Sequence, residues 1–238
     1  MAGKRRTKSS LSRDSIMASA LELIDTRGLD AFTIRNLADS LKVFPTALYW
    51  YYPARIDIIE AVVQRVLSGI VPRASDDWRV WLRAFAHNLR NAVAKHPNVA
   101  PLIGGQLVSN TSADLEMIEA ILGMLNRAGY EGPSLVPAYN MFIGALVGFV
   151  TQEFAGAAGS DESRLHERIE QIARQIDADD HPLLHTNSGA MLGNAFILRW
   201  VNGTERPMIG GFEMLVETLV AGLAAGVGRA QTGTIRDG

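Results

Sequence analysis

The stretch from Thr33 to Arg55, TIRNLADSLKVFPTALYWYYPAR, constrains this chain more than any other. It holds two short helical patterns with very little chain between them. The first runs from Thr33 to Leu41. The Thr33 hydroxyl is placed to cap it, and Ile34, Leu37, Ala38 and Leu41 recur at i, i+3, i+4 and i+7. The second runs from about Pro45 to Tyr52 and opens with a proline, which suits a first turn because no N–H is needed there. Leu48 and Val43 face back toward the first helix. Ser40, Lys42 and Val43 mark the few residues left to turn the chain. That is the spacing of a helix-turn-helix, whose second helix lies in the major groove of DNA.

The second helix carries four consecutive aromatics, Tyr49, Trp50, Tyr51 and Tyr52. A helix of about eight residues cannot bury all of them on one face. Two readings stay open. Either Tyr49 and Tyr52 are core and the other two rest on neighbouring helices, or Trp50 and Tyr51 point outward to meet phosphates, sugars or thymine methyl groups.

The pattern T-x-R-x-L-A-x-x-L-x-V followed by P-T-A-L-Y-W-Y-Y resembles the DNA-binding domain of the tetracycline repressor (TetR) family. So does the preceding helix pattern S-R-D-S-I-M-A-S-A-L-E-L-I-D-T-R-G-L, from Ser12 to Leu29. The likeness covers residues 12–65, about a quarter of the chain. It implies an all-α protein. An N-terminal three-helix DNA-binding module with the helix-turn-helix is followed by a C-terminal helical ligand-binding and dimerisation domain. The expected boundaries are a basic arm over 1–11, the DNA-binding domain over 12–55, the helical body over 56–230 and a polar tail over 231–238.

The resemblance places Arg35, Pro45, Thr46, Ala47, Tyr49, Trp50, Tyr51 and Arg55 at positions that face DNA. Thr33, Lys42 and Phe44 complete the expected interface. Thr46 and Ala47 are small enough to approach thymine methyls and backbone. Tyr49 and Trp50 suit phosphate positioning. Two positions depart from the family pattern. Lys42 stands where glycine is usual, so it costs roughly 1–2 kcal/mol in a left-handed turn, or the turn differs. Phe44 replaces a residue that is typically small or polar.

Charge follows the same division. Residues 1–55 hold nine Lys/Arg against five Asp/Glu, a net of +4, and the remainder hold fourteen against twenty, a net of −6. A basic module on an acidic body is the distribution expected when only the first part meets phosphates. Lys4, Arg5, Arg6 and Lys8 make the start basic without an apolar run, so it does not read as a secretory signal. The chain has no cysteine, which excludes disulfides, thiolate catalysis and Cys-based zinc sites, and fits the cytoplasm. The longest apolar run, Met141 to Val150, is short of the roughly 18–20 residues of a membrane span.

The body reads as helices over Pro53–Ile70, Asp76–His96, Thr111–Arg127, Ser134–Ala155, Asp161–Ile176 and Met208–Val227. Pro101–Val108 reads as a bent helix or loop, Gly156–Ser160 as a break, and Ser188–Val201 as an extra helix. Thr111 and Asp114 suit a capping box. The resemblance implies that the Ser134–Ala155 helix and the last helix pair with their copies in a homodimer. Trp81, Phe85, Leu102, Met117, Met141, Phe142 and Phe149 are the expected lining of a pocket for a mostly apolar small molecule. Asp177, Asp179, Asp180, His181 and His185 do not match a known metal-ligand spacing, and no metal or cofactor is expected. No hydrolase, phosphate-loop, zincin or dinucleotide motif occurs. The expected function is a DNA-binding regulator, a dimeric repressor released from a palindromic double-stranded operator by a small-molecule inducer. The alternative is an architectural or constitutive DNA binder without an inducer.

Overall fold

The computed structural model describes residues 11–109, 114–155 and 162–230. All its regular elements are helices. The expectations for the basic arm's Lys4, Arg5, Arg6 and Lys8, for Thr111, for 156–160 and for the tail lie outside the described residues. The chain divides into two compact units between Val66 and Leu67. The division by packing thus falls later than the end of the helix-turn-helix motif, and the fourth helix clusters with the N-terminal unit.

In that unit α1 spans Arg13–Arg27. Ser12 caps it by accepting the Ser15 N–H at 3.1 Å, and Ser15 reciprocates on the Ser12 N–H at 2.9 Å. Gly28, at φ 77, ends it. The stripe Ile16, Ala20, Leu23 and Ile24 is buried. Helix α2, Ile34–Leu41, is capped by the Thr33 hydroxyl, which accepts the Asn36 N–H at 3.1 Å. Helix α3 is Pro45–Tyr49 and α4 is Arg55–Leu67, which buries Ile58, Ile59, Val62, Val63 and Val66. Helix α1 packs on α2, and α2 on α3.

The C-terminal unit contains α5 (Trp78–Lys95), α6 (Ala100–Ser109), α7 (Leu115–Arg127), α8 (Leu135–Phe154), α9 (Glu162–Ala173), α10 (Pro182–Met191) and α11 (Ile209–Ala230). Asp77 and Asp114 cap α5 and α7 by accepting the Arg79 and Met117 N–H groups at 2.8 and 3.0 Å. The segment expected as bent helix or loop is helical: Pro101 sits in the first turn of α6, where a proline forfeits no hydrogen bond. Helix α8 is the centre of the unit and packs on α5, α6, α7 and α11.

The expected helix over Ser188–Val201 does not form. Helix α10 starts earlier, at Pro182, and stops at Met191. Gly193 follows at φ 78, and a Cβ there would collide with the Arg206 and Trp200 side chains. The apolar residues of this segment serve instead in an irregular connection, in which Trp200 is stacked by His166 at 4.3 Å and covered by Arg206 at 5.1 Å.

A buried ion pair ties this connection to the centre. Glu153, fully buried near the end of α8, takes a bidentate contact from Arg90 of α5, with Nε to Oε2 at 2.9 Å and Nη2 to Oε1 at 2.6 Å. Its Oε1 also accepts the Met208 N–H at 2.8 Å. Its backbone carbonyl accepts from Arg199 Nη1 at 2.7 Å and from the Gly203 N–H at 2.8 Å. Arg199 also donates to the Gln152 carbonyl. Desolvation lowers the Arg199 pKa, partly opposed by the Glu153 charge. Arg90 itself lies over Phe154 and Phe212, 5.5 and 5.4 Å from their ring centres. Both carboxylate oxygens of Glu153 and its backbone carbonyl are thus answered, which is the condition for burying that charge in an apolar body.

The pair's energetics give a direct test. Glu153→Ala leaves the Arg90 guanidinium buried without a counterion, and is expected to lower unfolding stability by about 3–5 kcal/mol in denaturant titration. The double change Arg90→Leu with Glu153→Leu is expected to lose less than the single one, because no orphaned charge remains.

Candidate nucleic-acid interface

The turn between α2 and α3 is held by backbone geometry. Lys42 has φ 57 and ψ 42, the left-handed conformation. Among the described residues it is the non-glycine with positive φ. Its N–H donates to the Asp39 carbonyl at 3.1 Å and the Val43 N–H to the Ala38 carbonyl at 3.0 Å. Of the two alternatives left open by the sequence, the chain keeps the tight turn and lysine bears the strain. Its side chain is exposed.

Helix α3 is shorter than the periodicity suggests, ending at Tyr49 instead of Tyr52. The Tyr51 and Tyr52 N–H groups both converge on the Leu48 carbonyl at 3.0 Å, which closes the helix as a turn. Leu48 is fully buried and anchors the helix on α2. The next aromatics reach back to the start of α1. The Tyr51 hydroxyl donates to the Leu11 carbonyl at 2.9 Å and the Tyr52 hydroxyl to the Arg13 carbonyl at 3.3 Å. Arg13 covers the Tyr52 ring at 5.4 Å, and burial raises the phenol's pKa.

Neither sequence-based pairing of the aromatics matches the structure. Tyr52 is core, Tyr51 is half-buried and braced, and the outward side chains are Tyr49 at 47 % and Trp50 at 88 % exposure. The reason is that Leu48, Tyr51 and Tyr52, at i, i+3 and i+4, share the inner face, which leaves Tyr49 and Trp50 on the outer one. Phe44, at the N-cap, is 82 % exposed.

The remaining expected positions fall around this surface. Arg35 projects from α2, and Pro45 and Thr46 are exposed at the start of α3, with Ala47 half-buried. Thr33 is exposed, but its hydroxyl is engaged as the α2 cap. Arg55 is turned inward in part: Nη2 donates to the Phe32 carbonyl at 3.1 Å and the guanidinium lies 5.0 Å over the Phe32 ring. It braces the loop before α2, which limits the donors it has for a phosphate. A groove of about 650 Å³ elsewhere on the unit is lined by Asp14, Glu22 and Asp25 with Arg65, and its acidic lining repels phosphate.

In the C-terminal unit the aromatic residues expected to line a pocket fall into two ring clusters. Trp81, Phe85 and Phe142 are 2 % exposed or less and pack ring on ring, with centroids 5.6 and 6.1 Å apart. Phe149 belongs to a second cluster with Phe196 and Phe212, at 5.2 and 5.8 Å. Leu102 and Met117 are half-buried on α6 and α7, and Met141 is exposed on α8. Asp177 is occupied by its own turn: Oδ1 accepts the Asp179 and Asp180 N–H groups, which hold its pKa below the ordinary carboxylate value. Sequence reasoning missed the cluster around Arg90, Glu153 and Arg199. A single acidic residue inside the most apolar helix was its one visible signal.

Comparison with known proteins follows the same two-part division. Residues 16–62 match the family described as bacterial regulatory proteins, tetR family. Residues 71–226 match the tetracyclin repressor-like C-terminal domain. The class A tetracycline repressor protein from transposon 1721 of Escherichia coli is 30 % identical over 156 residues, which are 64 % of this chain and 71 % of that protein. An HTH-type transcriptional regulator of Saccharopolyspora erythraea is 28 % identical over 225 residues, 94 % of this chain and 89 % of the relative. Among solved structures, the Streptomyces coelicolor TetR family protein ActR, in complex with actinorhodin, superposes with a TM-score of 0.69. It is 20 % identical, with 93 % of this chain and 99 % of that one covered. At that identity the superposition shows the fold.

The strain at Lys42 is measurable. Lys42→Gly relieves a left-handed side-chain penalty of about 1 kcal/mol, so the variant is expected to melt at a higher temperature than the parent. Lys42→Ala, which keeps a Cβ in the same conformation, is expected to show no such gain.

Proposed function

The chain belongs to the TetR family of bacterial regulatory proteins, and on that premise we propose that it is a homodimeric repressor that releases a palindromic operator when a small molecule binds its helical body. The family consists of ligand-responsive DNA-binding transcription regulators, not enzymes. The observation that carries the proposal is the surface of α3. Its buried Leu48 and braced Tyr51 and Tyr52 hold a rigid helix whose outward residues are Phe44, Thr46, Tyr49 and Trp50, with the cationic Arg35 and Lys42 beside it.

The roles follow from chemistry. Arg35 and Lys42 supply charge for phosphate oxygens, and the Tyr49 hydroxyl and Trp50 indole N–H are donors for the sugar–phosphate backbone. Thr33, Pro45, Ala47, Tyr51 and Arg55 support that contact mainly by shaping and fixing the elements that make it. The N-terminal residues of α3 face the base edges. Two such helices bind one duplex when their half-sites lie about 34–36 Å apart, one helical turn.

Dimerisation is supported by what α8 and α11 leave uncovered. Both are long and apolar enough to cross a membrane by length and composition, at mean hydropathies of 1.5 and 1.4, yet only 22 % and 28 % of those windows are buried within one chain. On α8 the exposed positions include Pro137, Met141, Gly144 and Gly148. On α11 they include Gly210, Met214, Ala221, Gly222 and Ala225. Small residues at helical spacing let a partner helix approach closely, and their removal from water drives the association. A second copy therefore covers this face, and the protein acts in the cytoplasm, where its operator lies.

The inducer is a mostly apolar molecule held in the C-terminal unit beside the half-buried Leu102 and Met117 and the aromatic cores at Phe142 and Phe149. It acts by binding the DNA-free arrangement more tightly than the DNA-bound one, since only differential affinity shifts a population. ActR is a fold neighbour in complex with actinorhodin, which supports a small-molecule role for this body.

Selection of bound duplexes from a random pool tests the operator reading. A palindromic motif is expected with the parent chain and not with Arg35→Ala plus Tyr49→Ala, with binding that weakens steeply as salt rises. Enrichment without sequence preference, insensitive to every small molecule screened, would indicate the architectural alternative. Met214→Asp places a charge on the exposed α11 face. It is expected to convert a dimer to a monomer in analytical ultracentrifugation and to lower operator affinity at least tenfold, as loss of one linked half-site requires.

A further inference from the structure

The recognition surface carries an unusual restriction on which bases it can read. From Phe44 through Tyr49 the sequence is FPTALY, with no Arg, Lys, Asn, Gln, Asp, Glu or His. The bidentate side chains that identify guanine or adenine by paired hydrogen bonds are therefore missing from the whole of α3 and its cap. Thr46 offers a single hydroxyl. Leu48 is buried, and Tyr49 lies at the far end of the helix. What the helix start does offer is apolar: the Phe44 ring, 82 % exposed, the Pro45 ring and the Thr46 methyl.

Only one base presents an apolar group in the major groove, and that is thymine with its C5 methyl. Resting on the operator reading above, we propose that Phe44 is a specificity-determining residue that reads thymine C5 methyl groups, so that the bases under the N-terminal end of α3 are thymines. Phe44 sits at the N-cap in an extended conformation, φ −73 and ψ 144, ahead of a proline that fixes the direction of the first turn. Recognition helices meet base edges with this end. The ring is thus presented on a rigid mount where the groove floor lies, with no packing role inside the unit to explain its size.

The test uses the full-length chain and the duplex selected above, with deoxyuridine replacing thymidine at one position at a time. That exchange removes the methyl group and keeps the Watson–Crick pairing. At one or two positions in each half-site the affinity is expected to fall roughly fourfold per methyl, the ratio that corresponds to burying one such group. Other positions are expected to be unaffected. Phe44→Ala, at an exposed site and with unchanged helical circular dichroism, is expected to bind the thymidine operator more weakly and to lose the distinction between thymidine and deoxyuridine there. Phe44→Leu is expected to keep part of it. Specific operator binding that ignores deoxyuridine at every position overturns the inference while leaving the repressor reading intact, as does a Phe44→Ala variant that still discriminates. A pool that yields no motif overturns both.

Discussion

A helix of five residues has no stability of its own, and the proposed DNA contact of this chain rests on one. Isolated helices need about 12–15 residues before they are even marginal in water. Helix α3 persists because Leu48 is removed from solvent against α2, a contact contributing about 1.5–3 kcal/mol. The hydroxyls of Tyr51 and Tyr52 then lock its end to the carbonyls of Leu11 and Arg13, at about 1 kcal/mol each. Those carbonyls precede or open α1, whose own start is fixed by the Ser12–Ser15 capping box. The outer face of α3 is held in place because two elements, α2 and the start of α1, pin one turn of helix from two sides.

The same bracing divides the aromatics by role. Tyr51 and Tyr52 face the protein and act as struts, which leaves Phe44, Tyr49 and Trp50 to face outward. Arg55 makes a comparable trade: its guanidinium fastens the loop before α2 by holding the Phe32 carbonyl. Residues of one chemical type, adjacent in sequence, are thereby separated into an inner, bracing set and an outer, exposed set.

The C-terminal unit follows a different logic. Its apolar helices pack closely around α8, but their outer faces remain uncovered in a single chain. The one charged group fully buried among the described residues, Glu153, is used as a fastening: it joins α5, the end of α8 and the connection before α11 through Arg90, Arg199 and backbone N–H groups. On the surface of the same unit, Arg83 and Glu217 join α5 to α11 by a bidentate pair, which lowers the carboxylate's pKa and raises that of the guanidinium. Being exposed, that pair fixes geometry more than it adds stability.

What the sequence determined by itself was local. Helix starts at Ser12 and Thr33 and the stop at Gly28 depend on side chains within a few residues of the helix end, whereas the caps of α5 and α7 fall at Asp77 and Asp114, one and three residues beyond the starts read at Asp76 and Thr111. The apolar stripe of α2 and the shortness of the turn at Lys42 were legible for the same reason, since periodicity and spacing are properties of the adjoining chain. Tertiary structure decided the rest. It ended α3 at Tyr49 and tied the hydroxyls of Tyr51 and Tyr52 to the Leu11 and Arg13 carbonyls, contacts 40 and 39 residues distant in sequence. It kept 192–208 out of helical form, because Glu153, Trp200 and Arg206 hold that segment by contacts distant in sequence. It also gathered Trp81, Phe85 and Phe142 into one buried ring cluster and sent Phe149 to another. A hydrophobic stripe states that a face will be buried; which partner buries it, and whether space is left for a ligand, depends on how the separate faces fit together.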